Sequence, residues 1–333
     1  MRKLIVVVLV AATAWAAYWV IGATASQKAI EGWLEARRNE GWQVEYSDLK
    51  VRGFPNRIDT TITDIQLTDP ETGLSWSAPF FQLFSLSYKP NHLIAAWPNS
   101  QSLATPFQKI DIETSKMTAS LKVLPNSRLE LDSATVVVEG AALTSSEGWE
   151  ASADNFTAAI RRTAGKDMTY DVAAKADTVT PGDALRSMLD AGGTLPDVIE
   201  GVNFDTEIGF ARALDIRVIE ESRPDITALN IKDARGAWGE LQLRAKGALT
   251  VDANGFPSGE VALNARNWRD MLGLAVRAGA IPTEAASAAE LGLGFLATLS
   301  GAENSLDAPL SFSNGRVFLG PIPLGTAPTL NLR

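Results

Sequence analysis

Few side chains in this sequence could carry out chemistry. There is one histidine, His92, and there is no cysteine. The absence of cysteine excludes disulfide bonds, thiolate catalysis and cysteine-ligated zinc or iron–sulfur centres. His92 could serve as the base of a Ser-His-Asp hydrolase, but the sequence contains no Gly-x-Ser-x-Gly nucleophile turn. We therefore interpret His92, which follows a predicted strand, as a turn residue.

Paired carboxylates are the other candidates for catalysis, because a glycosidase needs two acidic side chains about 5–10 Å apart. The chain has 39 Asp and Glu residues, so neighbouring acids occur by chance. The nominal candidates are Glu139, Glu147 with Glu150, Glu220 with Glu221, and Asp205 with Glu207. The acidic turns at 69–73 and 252–255 resemble the start of a calcium loop but lack its final glutamate. The sequence therefore predicts no enzyme activity, no metal site and no cofactor.

Composition limits the class of protein and its partners. The net charge of −9, from 30 basic and 39 acidic residues, argues against nucleic acid as a partner. Hydrophobic residues make up 46% of the chain, which is enough for a sizeable core and too many for a disordered protein.

The first 27 residues predict a membrane anchor. Arg2 and Lys3 precede an uncharged stretch that ends at Gln27, and about 20 apolar helical residues cross a hydrocarbon core. We assign residues 1–27 as a transmembrane signal anchor that contacts the membrane through residues 4–25. Because the positive end stays in the cytoplasm, the remainder of the chain is expected to be exported.

A cleaved signal peptide is the alternative. Ala23-Thr24-Ala25 fits the small-residue cleavage pattern, although the apolar stretch exceeds the usual length of about 7–15 residues. Trp15, Tyr18 and Trp19 lie toward the far end of the stretch, and aromatic rings favour the membrane interface. We favour the retained anchor, and both interpretations export residues 28–333.

Beyond the anchor, the hydrophobic period predicts a short helix followed by a β-rich domain. Residues 28–41 have helical spacing and end at Gly41, which is typical of a juxtamembrane amphipathic helix. In residues 42–333 apolar residues largely alternate with polar ones. The predicted fold is mainly β (α+β), an elongated antiparallel sheet or half-barrel groove with a few short covering helices.

One predicted strand, at 76–88, has an apolar face that could bind a ligand. The face consists of Trp76, Phe80, Phe84, Leu86 and Tyr88, and the other face is mostly serine, with Phe81 and Leu83 as exceptions. An open apolar face must be covered by helices, by a partner or by a ligand. These five residues are therefore the predicted ligand-binding residues.

The sequence also predicts an internal strand–helix–strand repeat, around 168–210 and 258–300. Each copy contains a helix that begins with Asp and ends with Ala-Gly, at 183–192 and 270–279. Leu195-Pro196 follows the first helix and Ile281-Pro282 follows the second. Further strands are predicted at 110–123, 128–139, 168–176 and 238–251.

Two segments carry a family resemblance. They are Arg-Gly-Phe-Pro-Asn-Arg at 52–57 and the run Leu-Asp-Ala-Pro-Leu-Ser-Phe-Ser-Asn-Gly-Arg-Val-Phe-Leu-Gly-Pro-Ile-Pro at 306–323. Together with the anchor they resemble an uncharacterised family of alphaproteobacterial envelope proteins, catalogued as a domain of unknown function. The closing run is also similar to the ends of AsmA- and TamB-like proteins. That resemblance implies an inner-membrane anchor, a long curved sheet with an apolar groove, and a role in moving lipids across the periplasm.

Three functions remain open, from different classes. The first is a non-enzymatic protein of the bacterial inner membrane, single-pass with its C-terminal domain in the periplasm, that handles lipid acyl chains in envelope maintenance. The second is a structural or assembly protein with a fully packed sheet and an envelope protein as partner. The third, a hydrolase acting on cell-wall glycan, requires two close buried carboxylates. We favour the first.

Overall fold

The computed structural model describes residues 1–190, 193, 195–220, 223–279, 283–299, 304–320 and 322–331. Over these residues the protein is mainly β with antiparallel strands, as predicted. The chain divides into two compact units. Unit 1 comprises Met1–Val123 with Val136–Trp149, and unit 2 comprises Leu124–Thr135 with Glu150–Arg333.

Unit 1 begins with one continuous helix, α1 (Arg2–Asn39), where the sequence predicts an anchor and a separate short helix. Among the described residues it is the one helix long and apolar enough to cross a membrane. Its side chains from Leu4 to Val10 are exposed. Gly41 follows its end with φ 92° and donates its N–H to the Arg38 carbonyl at 2.9 Å, as expected for a C-terminal glycine.

The strands of unit 1 surround two long central strands. They are β1 (Gln43–Glu45), β2 (Asp48–Arg52), β3 (Arg57–Asp69), β4 (Leu74–Leu86), β5 (Lys89–Ala96), β6 (Ser100–Ala104), β7 (Lys109–Glu113) and β8 (Lys116–Val123). β3 pairs with β1, β2 and β4, and β4 also pairs with β5 and β6. β8 pairs with β5, β7 pairs with β6, and β9 (Leu131–Ser145) pairs with β7 through its second half.

Two predictions in unit 1 are corrected by these strands. The single strand predicted at 110–123 is two strands, β7 and β8, because the chain turns at Thr114 and Ser115. His92 lies within β5 rather than in a turn, opposite Lys122 of β8, and its Nε2 is 2.9 Å from the Ser120 hydroxyl.

The buried face of β3 and β4 changes side partway along both strands. In β3 the buried position moves from Ile62 to Ile65 around Asp64, which has a left-handed φ of 50°. The register with β4 is the same on both sides of Asp64, so Phe81 faces Ile62 and Ala78 faces Ile65. The two strands therefore change faces together. Ile62, Ile65 and Ala78 form the core of unit 1, and Ile30 of α1 packs against it.

Unit 2 is an antiparallel meander in which each strand pairs with the next. Its strands are β10 (Glu150–Arg162), β11 (Thr169–Thr180), β12 (Ile199–Phe210), β13 (Ile226–Trp238), β14 (Leu241–Val251), β15 (Pro257–Arg266), β16 (Ser305–Ser313), β17 (Arg316–Leu319) and β18 (Ile322–Thr326). Its helices are α2 (Asp183–Leu189), α3 (Arg217–Glu220), α4 (Trp268–Arg277) and α5 (Thr283–Leu299). The predicted turn at 252–255 connects β14 to β15, and a turn at 314–315 connects β16 to β17.

The two predicted strand–helix–strand segments are present but unequal. The first is β11–α2–β12, and the second is β15–α4–α5–β16, which has an additional helix and extends past residue 300. Ala191, Gly192, Ile281 and Pro282, on which part of the resemblance between the segments depends, lie outside the described residues.

The strands of unit 2 align their residues in rows across the sheet, and opposite residues of neighbouring strands point to the same face. One row across seven strands is Phe156, Ala176, Val202, Gly236, Leu243, Ala265 and Leu306. The second is Ala158, Ala174, Phe204, Ala234, Ala245, Leu263 and Ala308. The row between them, on the other face, is Thr157, Lys175, Asn203, Arg235, Arg244, Asn264 and Asp307. The sheet therefore has one apolar and one polar face.

Helices α4 and α5 cover one end of the apolar face and form the core of unit 2. The buried cluster consists of Ala265, Trp268, Leu272, Ala289, Leu293, Ala297, Leu306, Ala308 and Leu319. Trp268, at the start of α4, is 2% exposed.

Candidate functional site

The structure divides four of the five predicted ligand-binding residues between the two faces of β4 and places the fifth, Tyr88, in the turn that follows. Trp76 packs against the core of unit 1, and its Nε1 donates a hydrogen bond of 2.8 Å to Gln101 Oε1. Beyond the change of face at Pro79, the side chains of Phe80, Phe84 and Leu86 lie on the side away from Ile62. The sequence does not reveal this change, because Trp76 and Phe80 are four residues apart and regular strand alternation would place them on the same face.

The part of the predicted face beyond Pro79 is half-buried and ends in a turn. Phe84 is covered by the guanidinium group of Arg57, whose central carbon lies 5.2 Å from the ring centroid. Tyr88 lies in the two-residue turn between β4 and β5 and is 57% exposed. Ligand binding by Phe80, Phe84, Leu86 and Tyr88 stays a prediction.

A larger apolar depression lies in unit 2, on the apolar face of strands β12–β14 beside α4. Its volume is about 460 Å³, within the range of about 300–1,000 Å³ that small-molecule sites occupy. We call it the apolar trough and define it by Val202, Phe204, Ala234, Gly236, Leu243 and Ala245 of the sheet with Met271 and Leu274 of α4. Trp238 and Leu241 close one end, and the Trp238 Nε1 donates to the Pro196 carbonyl at 2.8 Å.

Exposure changes steeply along one row of the sheet. Val202 is 45% exposed and Leu243 is 42% exposed, whereas Ala265 and Leu306 in the same row are buried. Gly236 lies between Val202 and Leu243 and has no side chain, which deepens the trough. A Cβ at this position would have no neighbour closer than the Gly201 carbonyl at 4.0 Å. The trough is therefore a part of the apolar face that α4 borders but leaves accessible.

The opposite face of the same strands is charged. Asp171 accepts hydrogen bonds from Lys232 at 2.5 Å and from Arg161 at 3.3 Å. The ammonium group of Lys232, more than Arg161, holds the pKa of the Asp171 carboxyl below its usual value, against the effect of burial. A cavity of about 370 Å³ on this face includes Lys175 and Arg244. The two faces thus differ in chemistry as well as in exposure.

Two of the candidate carboxylates named from the sequence form ion pairs. Glu139 pairs with Lys116 at 2.8 Å and Glu207 pairs with Lys166 at 2.6 Å. Hydrogen bonds lower the pKa values of three carboxyl groups, chiefly from Thr72 to Asp69, from Lys232 to Asp171 and from Arg217 to Asp215. A general acid requires the opposite shift. Within the described part of the chain no group of three or more His, Asp or Glu could hold a metal ion. Glu221 lies outside it.

The trough residues are not among the predicted site residues, although part of the signal is in the sequence. Leu241 and Leu243 alternate with polar residues in the predicted strand at 238–251. Val202 and Phe204 alternate with Gly201 and Asn203 in the same way. The remaining trough positions in the sheet are Ala and Gly, which alone predict nothing about a binding site.

Comparisons with known proteins place the chain in one protein family. No curated protein and no solved structure matches the chain. The profile of a bacterial family described as "Uncharacterized protein conserved in bacteria" (DUF2125) matches residues 19–328, which include both units and the second half of α1. The match covers most of the 333 residues, and the chain therefore belongs to this family.

Proposed function

We propose that this protein is a membrane-anchored, non-enzymatic protein that binds a lipid acyl chain, or a ligand of similar shape and polarity, in the apolar trough. The observation that carries the proposal is the continuation of two apolar rows beyond the helices that cover them. At the covered end the rows form core, and at the trough Val202 and Leu243 are more than two-fifths exposed. Exposed apolar patches of this kind mark binding surfaces.

The chemistry of the trough suits an acyl chain. The sheet side chains that define it are aliphatic, aromatic or small. Asn203 and Arg235 also border the cavity, but they belong to the polar row of the other face. Burial of one methylene contributes about 0.8 kcal/mol, so six to eight buried methylenes would supply about 5–6 kcal/mol without any catalytic group.

The anchor supports the same ligand class. α1 could hold the protein at a membrane, where acyl chains are abundant. The positive charges of Arg2 and Lys3 favour a cytoplasmic N-terminus and hence a periplasmic location for both units, in the inner membrane of a bacterium. The resemblance of the C-terminal run to AsmA- and TamB-like proteins also implies lipid handling in the cell envelope.

The experiment that tests the proposal is photolabelling in a bilayer. The full chain is placed in nanodiscs of phosphatidylethanolamine and phosphatidylglycerol that contain a phospholipid with a diazirine in its acyl chain. After illumination, mass spectrometry locates the labelled peptides. We expect label on the β12–β14 peptides as well as on α1.

A matched pair of glycine variants provides the control. Gly236→Leu places a side chain on the trough floor, where its Cβ would have no neighbour closer than 4.0 Å. Gly201→Leu places the same side chain on the polar face, where a Cβ would meet the Ala176 carbonyl at 3.6 Å, an ordinary contact. Gly236→Leu should reduce β12–β14 labelling about tenfold, equivalent to about 1.4 kcal/mol of binding free energy. Gly201→Leu should leave it unchanged.

Two outcomes would count against the proposal. Label confined to α1 would mean that no acyl chain enters the trough. Equal labelling in the two variants would mean that the label reaches β12–β14 without using the trough floor. Either result would favour the assembly-protein alternative, in which an envelope protein covers the exposed face.

A further inference from the structure

Three side chains of α1 donate hydrogen bonds to backbone carbonyls of two turns in unit 1. The Trp15 Nε1 donates to Pro55 O at 3.0 Å, and the Trp19 Nε1 donates to Arg57 O at 2.6 Å. The Tyr18 hydroxyl donates to Ser87 O at 2.7 Å. The helix is thus attached to the β2–β3 turn, which carries the Arg-Gly-Phe-Pro-Asn-Arg sequence, and to the β4–β5 turn.

The residues of α1 that bind the two turns lie within the stretch of helix needed to span a bilayer, so the turns must enter the membrane. From Leu4 to Trp15 the helix rises about 17 Å, at 1.5 Å per residue, whereas a hydrocarbon core is about 30 Å thick. A membrane-spanning segment that starts at Leu4 therefore continues past Trp19. Val20 and Ile21 are more than half exposed, so the helix keeps an apolar side available to lipid alongside the turns.

The two turns carry features suited to that depth. Unpaired backbone carbonyls are costly in lipid, and the three side-chain donors pair carbonyls of these turns. Phe54 and Tyr88 project from the turns and are each 57% exposed, and Phe54 packs edge-on against Trp19 at 5.5 Å. Trp and Tyr side chains, which have one polar edge, prefer the membrane interface, whereas the Phe54 ring is wholly apolar. We call Trp15, Tyr18, Phe54 and Tyr88 the aromatic rim.

Basic residues lie beside the rim. Arg57 is paired with Asp59 at 3.0 Å, whereas Arg52 and Lys89 are exposed next to the two turns. Their charge complements lipid phosphates, and basic side chains near a membrane surface each contribute about 1 kcal/mol where anionic lipid is present.

We propose that unit 1 docks on the bilayer through the aromatic rim, with Phe54 and Tyr88 inserted below the headgroups of the leaflet farther from Arg2 and Lys3. The docking shares only the membrane anchor with the proposed function and does not depend on the trough. It fixes the two turns in the membrane and explains why α1 has aromatic donors on the side that meets the β2–β3 and β4–β5 turns.

The natural absence of cysteine makes the test direct, since any introduced cysteine is unique. Nitroxide labels are attached to Phe54→Cys and, as a second rim position, to Tyr88→Cys in the full chain, in vesicles of phosphatidylethanolamine and phosphatidylglycerol. Val8→Cys in α1 is the depth reference. Phe107→Cys is the aqueous control, because Phe107 is an 85% exposed aromatic in the β6–β7 turn. That turn lies beside Gly73, at the other end of β3, about 40 Å away.

Spin-label collision rates with oxygen, which partitions into lipid, and with a water-soluble nickel complex give the result. We expect oxygen collisions to exceed nickel collisions at positions 54, 88 and 8, and the reverse at 107. If the labels at positions 54 and 88 collide mainly with nickel, as at position 107, while the label at position 8 collides mainly with oxygen, the docking is overturned and the anchor is retained. A label at 8 that behaves like 107 would overturn the anchor itself. Protection of 54 and 88 from both reagents would indicate a second protein copy and also overturn docking on lipid.

Discussion

The two ends of the apolar sheet face in unit 2 have the same composition and different surroundings. Leu243 and Leu306 lie in one row, two strands apart, and each follows the same inward alternation along its strand. Leu306 is 5% exposed beneath α4 and α5, whereas Leu243 is 42% exposed in the trough. An identical side chain in an identical row is therefore core at one end and accessible surface at the other.

This difference shows that the covering helices, rather than the sheet, decide which apolar residues stabilise the fold. Apolar surface removed from water contributes about 25 cal/mol per Å², and at the trough end this contribution is incomplete until something covers it. At the covered end, α4 and α5 bury the apolar surface of the sheet. At the trough, the proposed ligand would bury it. Substitutions at the two ends should thus separate stability from binding.

The largest effect is expected at Trp268, the most buried large side chain of the covered end. Trp268→Ala removes an indole from beneath α5 and should lower the free energy of unfolding by about 3–5 kcal/mol. The measurement is guanidinium unfolding of the full chain followed by circular dichroism. Phe156→Ala, at the exposed end of the same face, is the control and should cost about 1 kcal/mol or less. Equal costs would remove the distinction between the two ends.

The second effect compares two leucines of one row. Leu306→Ala should destabilise the protein by about 2–5 kcal/mol, because it leaves a cavity under α5. Leu243→Ala should change stability by less than about 1 kcal/mol and instead reduce trough labelling by the diazirine phospholipid. Denaturation midpoints and label yields for both variants give the answer. A Leu243→Ala variant as unstable as Leu306→Ala would show that the trough is core.

A smaller effect is expected on the polar face, at Asp171. The pKa of its carboxyl is lower in the folded protein than its usual value, chiefly because of Lys232. Its contribution to stability is thus complete above the unfolded-state pKa of about 3.9 and is lost as the pH falls through the folded value. Asp171→Asn should cost about 1 kcal/mol or less near neutral pH and flatten the decline in stability below about pH 4.

The measurement for Asp171 is the free energy of unfolding of the variant and of the unsubstituted protein, followed from neutral pH into the acid range. Lys246→Gln, which removes an exposed charge elsewhere on the polar face, is the control and should leave the acid slope as it is. An acid slope that Asp171→Asn does not change would contradict the assignment of the Lys232 ion pair.

The smallest effect is expected from Phe84→Ser in unit 1. Phe84 lies outside the trough, so this variant should leave the diazirine labelling of β12–β14 unchanged and the fold intact. Loss of that labelling in a folded Phe84→Ser protein would instead assign ligand binding to the apolar residues of β4, as the sequence predicts.

Much of the fold can be predicted from local patterns. The turns at 69–73, 252–255 and 313–315 all connect paired strands, because Gly, Asn and Asp favour turn conformations wherever they occur. The helix predicted at 270–279 agrees with α4 to within two residues, since its start and end signals are local. The sequence predicts the anchor and the short helix separately, but they form one helix because nothing in residues 24–30 interrupts helical geometry.

The candidate site is predicted less well, since a site depends on neighbours that are distant in sequence. The face containing Trp76 and Phe84 requires an unbroken period of two, and Asp64 and Pro79 interrupt it in both strands. The trough requires Val202, Gly236 and Leu243 to be adjacent, which depends on the register of three strands. Alanine and glycine at such positions carry no hydrophobic signal of their own.

The sequence by itself determined the apolar N-terminal helix, the antiparallel strands and their turns, and the absence of cysteine chemistry, because each depends on residues close together in the chain. The tertiary structure alone decided which apolar residues are buried and which remain accessible. Strand alternation places Leu243 and Leu306 on a face, but only the position of α4 and α5 over that face makes one of them core and leaves the other exposed. Likewise, only the packing of α1 on the strands of unit 1 brings Trp15, Tyr18 and Trp19 to the turns that we propose to dock on the membrane.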